Sequence, residues 1–119
     1  MATNQVQYTV EMTIPDGQTG EFKRLAQASI NLVKANEPKM LSSEWYFSDN
    51  GRQCYVVDRY SEADGIPAHI KNLGRILTDL LKVSPITRFE VFGTISDEIK
   101  KVLTPLGAKF FPAWNGMTR

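Results

Sequence analysis

Val6, Tyr8, Val10, Met12 and Ile14 alternate with Gln5, Gln7, Thr9, Glu11 and Thr13. A period of two over that length predicts a strand with one buried face. The turn Pro15-Asp16-Gly17 ends it. Phe22, Leu25, Ala26, Ser29, Leu32 and Val33 then recur at helical spacing, with Glu21, Lys23, Arg24 and Lys34 on the opposite side. Thr19 stands where a helix cap belongs, and Pro38 lies beyond the helix end.

Two strand-like runs, 41–49 and 52–60, flank Asn50-Gly51, the pair preferred in a two-residue type I′ turn. Such a turn sets Asp49 opposite Arg52, Phe47 opposite Cys54, Trp45 opposite Val56, Ser43 opposite Asp58 and Leu41 opposite Tyr60, all on one face. Glu44, Tyr46, Tyr55, Val57 and Arg59 fall on the other. The stretch 61–82 reads as a helix capped by Asp64, with Pro67 in the first turn, where its missing N–H costs nothing. Leu73, Ile76, Leu77, Leu80 and Leu81 form its apolar stripe. A fourth strand over 85–93 follows. A short helix comes next, with Ser96 as cap, acids in its first turn and Gly107 at its end. Residues 108–112 suggest a closing strand.

The order strand, helix, strand, strand, helix, strand predicts an α+β, ferredoxin-like fold: an antiparallel sheet with helices on one face. Its other face, with Tyr46, Tyr55 and Val57 among polar residues, is too apolar to stay in water. A homodimer through that face is the expected solution, forming a dimeric α+β barrel.

The length of 119 residues suits one domain spanning 1–119. With 42% apolar and 23% charged residues the chain is of globular rather than disordered type. A net charge of +1 without basic patches argues against nucleic acid and membrane as partners. The single cysteine, Cys54, excludes an internal disulfide, and no Cys/His cluster suggests structural zinc. The N-terminus lacks the basic and apolar blocks of a signal peptide, so the expected location is cytoplasmic. No glycine-rich dinucleotide loop is present, and no cofactor and no metal are expected.

His69 is the only histidine. Strand alternation puts Trp45, Phe47, Cys54, Val56, Asp58 and Tyr60 toward the helices, and a helix starting near Asp64 places His69 over that face. Asp58 then either holds one imidazole nitrogen and leaves the other free as a general base, or the two groups satisfy each other at a helix–sheet junction. Trp45 and Tyr60 either wall an aromatic ligand or belong to the core. Arg88 either meets an anionic substrate oxygen or pairs across strands with Glu44 or Glu11. Cys54 is expected to be buried and inert. Trp114 lies in a tail that folds over the pocket mouth or the dimer seam.

The run "EWYFSDNGRQCYVVDRYSEADGIPAHI" resembles the antibiotic-biosynthesis-monooxygenase domain, one of the dimeric α+β barrels. Asp58 stands where members often have Glu, Tyr60 where they have Trp or Tyr, and His69 where they have His. "EVFG", the short helix after it and "PLGAKFF" are similar to the tail of some members. The resemblance implies a small cofactor-independent monooxygenase that oxidises a phenolic, quinol or polycyclic aromatic substrate with dioxygen. His69 and Asp58 would be catalytic, and Trp45, Tyr60 and Arg88 would bind substrate. A non-catalytic dimeric module holding a small apolar ligand is the alternative. Haem degradation, known from other members, is disfavoured. The first strand lacks the Asn and the helix lacks the Trp of those members, and there is no second histidine to serve as ligand.

Overall fold

A computed structural model describes residues 4–119; Met1–Thr3, part of the stretch read for a signal peptide, lie outside it. Strand β1 (Val6–Thr13) leads to helix α1 (Thr19–Asn36), strands β2 (Met40–Phe47) and β3 (Gln53–Tyr60), helices α2 (Gly65–Leu73) and α3 (Arg75–Val83), and strand β4 (Ile86–Phe92). Helix α4 (Asp97–Leu103), a 3₁₀ turn (Thr104–Leu106) and strand β5 (Lys109–Phe111) close the chain. The sheet order is β2-β3-β1-β4-β5. The first four strands pair antiparallel, and β5 adds in parallel to β4. The expected α+β, ferredoxin-like arrangement is what forms, with the closing strand at its edge.

The strict alternation of β1 is matched by alternating burial: Val6, Tyr8, Val10 and Met12 are buried and their neighbours are partly exposed. These residues cluster with Phe22, Leu25 and Ala26 of α1, Ile66 of α2 and Leu80 of α3. A buried side chain of that size contributes about 1.5–3 kcal/mol, so this one interface supplies much of what holds the helices to the sheet.

Four local details depart from the sequence reading. Gln18, not Thr19, occupies the position before α1, and its side chain makes no cap bond. The β2–β3 connection is not a type I′ turn, because Asn50 does not adopt positive φ; among 49–52 only Gly51 does, at 73°. Instead the Asn50 side-chain oxygen accepts from the Arg52 N–H and the Ser48 hydroxyl, and Gly51 N–H reaches Ser48 O. This closes a longer loop that keeps the same register: Phe47 faces Cys54, Trp45 faces Val56 and Ser43 faces Asp58. The register then slips at a bulge, so Met40 rather than Leu41 faces Tyr60, and Leu41 is exposed. Lastly, the stretch 61–82 is two helices. Gly74 takes φ 51° and ψ −119°, outside the helical region, and breaks the run between Leu73 and Arg75.

Among the described residues no helix is long and apolar enough to cross a membrane.

Candidate active site

Tyr8, Asp58 and Tyr60 share the helix-covered face of the sheet because they occupy alternate positions of paired strands: Tyr8 lies opposite Asp58, and Val6 opposite Tyr60. The Tyr8 hydroxyl donates to Asp58 Oδ2 at 2.6 Å, and the Tyr8 and Tyr60 oxygens are 3.0 Å apart. Since the one Tyr8 proton is directed to Asp58, Tyr60 is the donor to Tyr8. All three side chains are buried.

Helix α2 carries His69 over this triad. Gly65 begins the helix against the Tyr60 ring; a Cβ there would lie 2.7 Å from Tyr60 Cδ1, so only glycine admits this approach. Asp64 precedes the helix as expected, but its carboxylate binds Lys39 Nζ at 2.8 Å instead of capping. His69 Nδ1 lies 2.9 and 3.0 Å from the two oxygens of Glu37, the residue that follows α1. Asn72 donates to Glu37 Oε2 at 2.7 Å and to Leu32 O at 3.1 Å, which fixes the Glu37 carboxylate against both helices. His69 Nε2 is directed toward Asp58, 3.9 Å from its Oδ2, too far for a hydrogen bond.

The partner that orients His69 is thus Glu37, and Asp58 faces the free nitrogen. Neither arrangement expected from the sequence, Asp58 holding an imidazole nitrogen or the two groups satisfying each other, has its hydrogen bond here, since His69 Nε2 and Asp58 Oδ2 are 3.9 Å apart. Glu37 gave no signal in the sequence, because an acid beside Pro38 reads as part of a solvated loop. Its side chain is only 5% exposed.

Burial pushes the Asp58 carboxyl above the usual carboxylate range, with the Glu37 charge acting the same way. The Ser43 and Tyr8 hydroxyls and His69 oppose the shift. The Ser43 hydroxyl accepts from Trp45 Nε1 at 3.3 Å, and by hydrogen-bond geometry Asp58 Oδ1 has no partner. Burial likewise raises the Tyr8 and Tyr60 phenols, helped by the nearby Asp58 charge.

A cavity of about 70 Å³ lies between sheet and helices. Its polar end is formed by Tyr8, Asp58 and His69, and its walls by Val10, Val56, Trp45, Leu73, Leu77 and Phe89, among others. Trp45 lines it as expected, while its ring meets Phe22 edge-on at 6.1 Å. Tyr60 stands behind Tyr8 and is not part of the lining. Arg88 is on the far face of the sheet, opposite Glu11 and 3.3 Å from Glu90, in a polar groove with Thr87 and Lys109. The structure therefore brings together His69, Asp58 and Trp45, and leaves Arg88 apart from them. Cys54 is buried, its thiol pushed up to about 11 by burial. Among the described residues no group of three or more His, Cys, Asp or Glu is placed to hold a metal ion.

No family model matches the sequence, and no curated protein matches it. Solved structures do match. MupZ from Pseudomonas fluorescens superposes with a TM-score of 0.88 at 23% identity, over 98% of this chain and 96% of that one. SnoaB, a cofactor-independent oxygenase from Streptomyces nogalater, superposes with a TM-score of 0.67 at 13% identity, over 79% and 96%. A Caulobacter crescentus protein provisionally named an antibiotic biosynthesis monooxygenase gives 0.69 at 15%, over 79% and 92%. At these identities the likeness is one of fold, and the fold of this chain is that of the antibiotic-biosynthesis-monooxygenase proteins.

Proposed function

We propose that the protein is a cofactor-independent monooxygenase in which His69 removes a proton from an acidic aromatic substrate. The observation that carries this reading is the pairing of His69 Nδ1 with Glu37, which leaves Nε2 free at the polar end of an apolar cavity. A base needs this arrangement: one nitrogen held, the other presented. The shared fold with a named cofactor-independent oxygenase agrees with it.

Deprotonation of a phenol or quinol gives an electron-rich anion that can reduce dioxygen directly. For a methylene group activated by such phenols, one dioxygen supplies the ketone oxygen and one water. The four electrons come from that carbon, and no outside reductant is required. The chain contributes the base, the orientation and a dry site. The cavity is well below the roughly 300 Å³ of ordinary ligand pockets, so a tricyclic substrate requires α2 and α3 to move apart from the sheet.

The test is dioxygen uptake with a hydroxyanthrone, with ¹⁸O₂ incorporation read by mass spectrometry. One labelled ketone oxygen per dioxygen consumed is expected, and uptake no faster than in buffer would sink the reading.

We also propose that the working unit is a homodimer formed through the open sheet face, where Tyr46 is 52% exposed beside Tyr55 and Val57. A monodisperse monomer at micromolar concentration in sedimentation would overturn this.

A further inference from the structure

Asp58 has one oxygen engaged and one idle. Oδ2 accepts from Tyr8; Oδ1 is buried and makes no hydrogen bond of good geometry, the Ser43 hydroxyl being the donor that acts on the carboxyl from nearby, and Asp58 lines the cavity. A buried polar atom in that condition costs about 1–3 kcal/mol, so a ligand that gives it a partner gains binding from it. Removing a proton from a substrate uses His69 alone and leaves this second group unexplained.

The hydrogen-bond directions say which way Asp58 faces chemically. Tyr60 donates to Tyr8 and Tyr8 donates to Oδ2, so Oδ2 is an acceptor and Oδ1 is the oxygen left to carry a proton whenever the carboxyl takes one up. We propose that Asp58 and His69 form an acid–base pair that enolises a small alicyclic or aliphatic ketone, an activity that needs no dioxygen. The proposal rests on the reading of His69 as a base given above, and extends it from phenols to carbonyl compounds.

The substrate carbonyl oxygen accepts from Asp58 Oδ1–H while His69 Nε2 takes a proton from the neighbouring carbon. The C–H electron pair becomes the new C=C bond, and the C=O π pair moves onto the oxygen that Asp58 protonates. With a β,γ-unsaturated ketone, Nε2 returns its proton to the γ carbon and Asp58 recovers its own. The product is the conjugated isomer, with no net change in atoms or electrons. A carboxyl whose proton affinity is raised by burial, beside a tyrosine and in apolar surroundings, is a suitable donor to a developing enolate oxygen. Val10, Val56, Leu73 and Leu77, with the rings of Trp45 and Phe89, surround the remainder of the cavity with apolar surface.

The test uses cyclohex-3-enone under nitrogen, with the absorbance of cyclohex-2-enone as readout. Wild type is expected to accelerate the isomerisation over buffer, and Asp58→Asn and His69→Gln each to lower that rate by about 10²-fold or more. A folded wild type that gives the buffer rate overturns the proposal, as does an Asp58→Asn protein with the wild-type rate. Should Asp58→Asn not fold, the infrared carbonyl stretch of cyclohexanone bound to wild type decides. A shift to lower frequency than in hexane supports the donor role, and an unshifted band overturns it. Isomerisation without oxygen uptake on the hydroxyanthrone would sink the monooxygenase reading alone; uptake without isomerisation would sink this proposal alone.

Discussion

On the helix-covered face of the sheet Tyr8 donates to Asp58 at 2.6 Å; on the open face Tyr46 donates to Glu44 at 3.1 Å. The same pair of functional groups recurs on the opposite face of the sheet, in a different medium. The buried phenol is raised chiefly by loss of solvent, the exposed one chiefly by its bond to Glu44. The carboxyl groups diverge further. Burial raises Asp58, whereas Glu11, on the open face of β1, is lowered by hydrogen bonds from Thr87 and Tyr55. A carboxyl group is therefore moved toward acid chemistry or away from it by which way its strand position points. Only the inner pair has the raised carboxyl, the adjoining imidazole and the cavity that a site requires.

The largest expected contrast between the faces is catalytic. His69→Ala should lower oxidation of a phenolic substrate by about 10²-fold or more, with the fold retained by circular dichroism. Arg88→Ala, on the open face, should leave kcat unchanged. A full wild-type rate in folded His69→Ala would remove the basis of the comparison and return the protein to the reading of a binding module.

The next contrast is in stability. Tyr8→Phe strips Asp58 Oδ2 of its donor and Tyr60 of its acceptor, and should cost about 1–3 kcal/mol, several degrees in melting temperature. Tyr46→Phe removes the matching hydroxyl from a side chain that its own chain leaves half exposed, and should cost less than Tyr8→Phe. Equal losses in urea titrations of the two variants would show that burial does not separate the faces.

A smaller effect should appear in the pH dependence of unfolding. The folded pKa of Asp58 lies above its unfolded value of about 3.9, so the native state holds that proton more tightly. Its contribution is fully present below the unfolded value and declines as pH rises through the folded one. Asp58→Asn should therefore flatten the loss of stability from about pH 4 upward. Glu11 has the opposite sign, its stabilisation present at higher pH and lost as pH falls through its lowered folded value. Glu11→Gln should change the acid limb only, and slightly, because exposed partners are screened by solvent. Urea unfolding measured across pH 3–8 for the two variants would reveal opposite signs, and parallel curves would contradict the assignment.

The smallest expected effect concerns Glu37. Glu37→Gln keeps an acceptor and a comparable volume near Nδ1, so the fold should persist while the rate falls less than in His69→Ala. A KM shift with unchanged kcat would place Glu37 in packing instead of in orienting the imidazole.

Much of this architecture was legible in the order of residues. The alternation of Val6 to Ile14, the helical spacing of Phe22 to Val33 and the hairpin around Asn50-Gly51 depend on local geometry, with periods of 2 and 3.6 that a chain carries in itself. They fixed the fold class, the inner face with Trp45 and Asp58, and the position of His69 above it. The β2–β3 register held from Phe47–Cys54 to Ser43–Asp58 even though the turn took another form, because burial of Cys54, Val56 and Asp58 on one face selects the pairing more strongly than the loop does. The tertiary structure alone decided what touches what. Glu37 and His69 are 32 residues apart and Tyr8 and Asp58 are 50 apart, and no local pattern records such distances. The antiparallel pairing of β1 with β3 sets Tyr8 beside Asp58, and the docking of α2 on the end of α1 delivers Glu37 to the imidazole. Arg88 shows the same limit from the other side: its strand was foreseen, but the phase of its alternation turned it away from the cavity and toward Glu11 and Glu90.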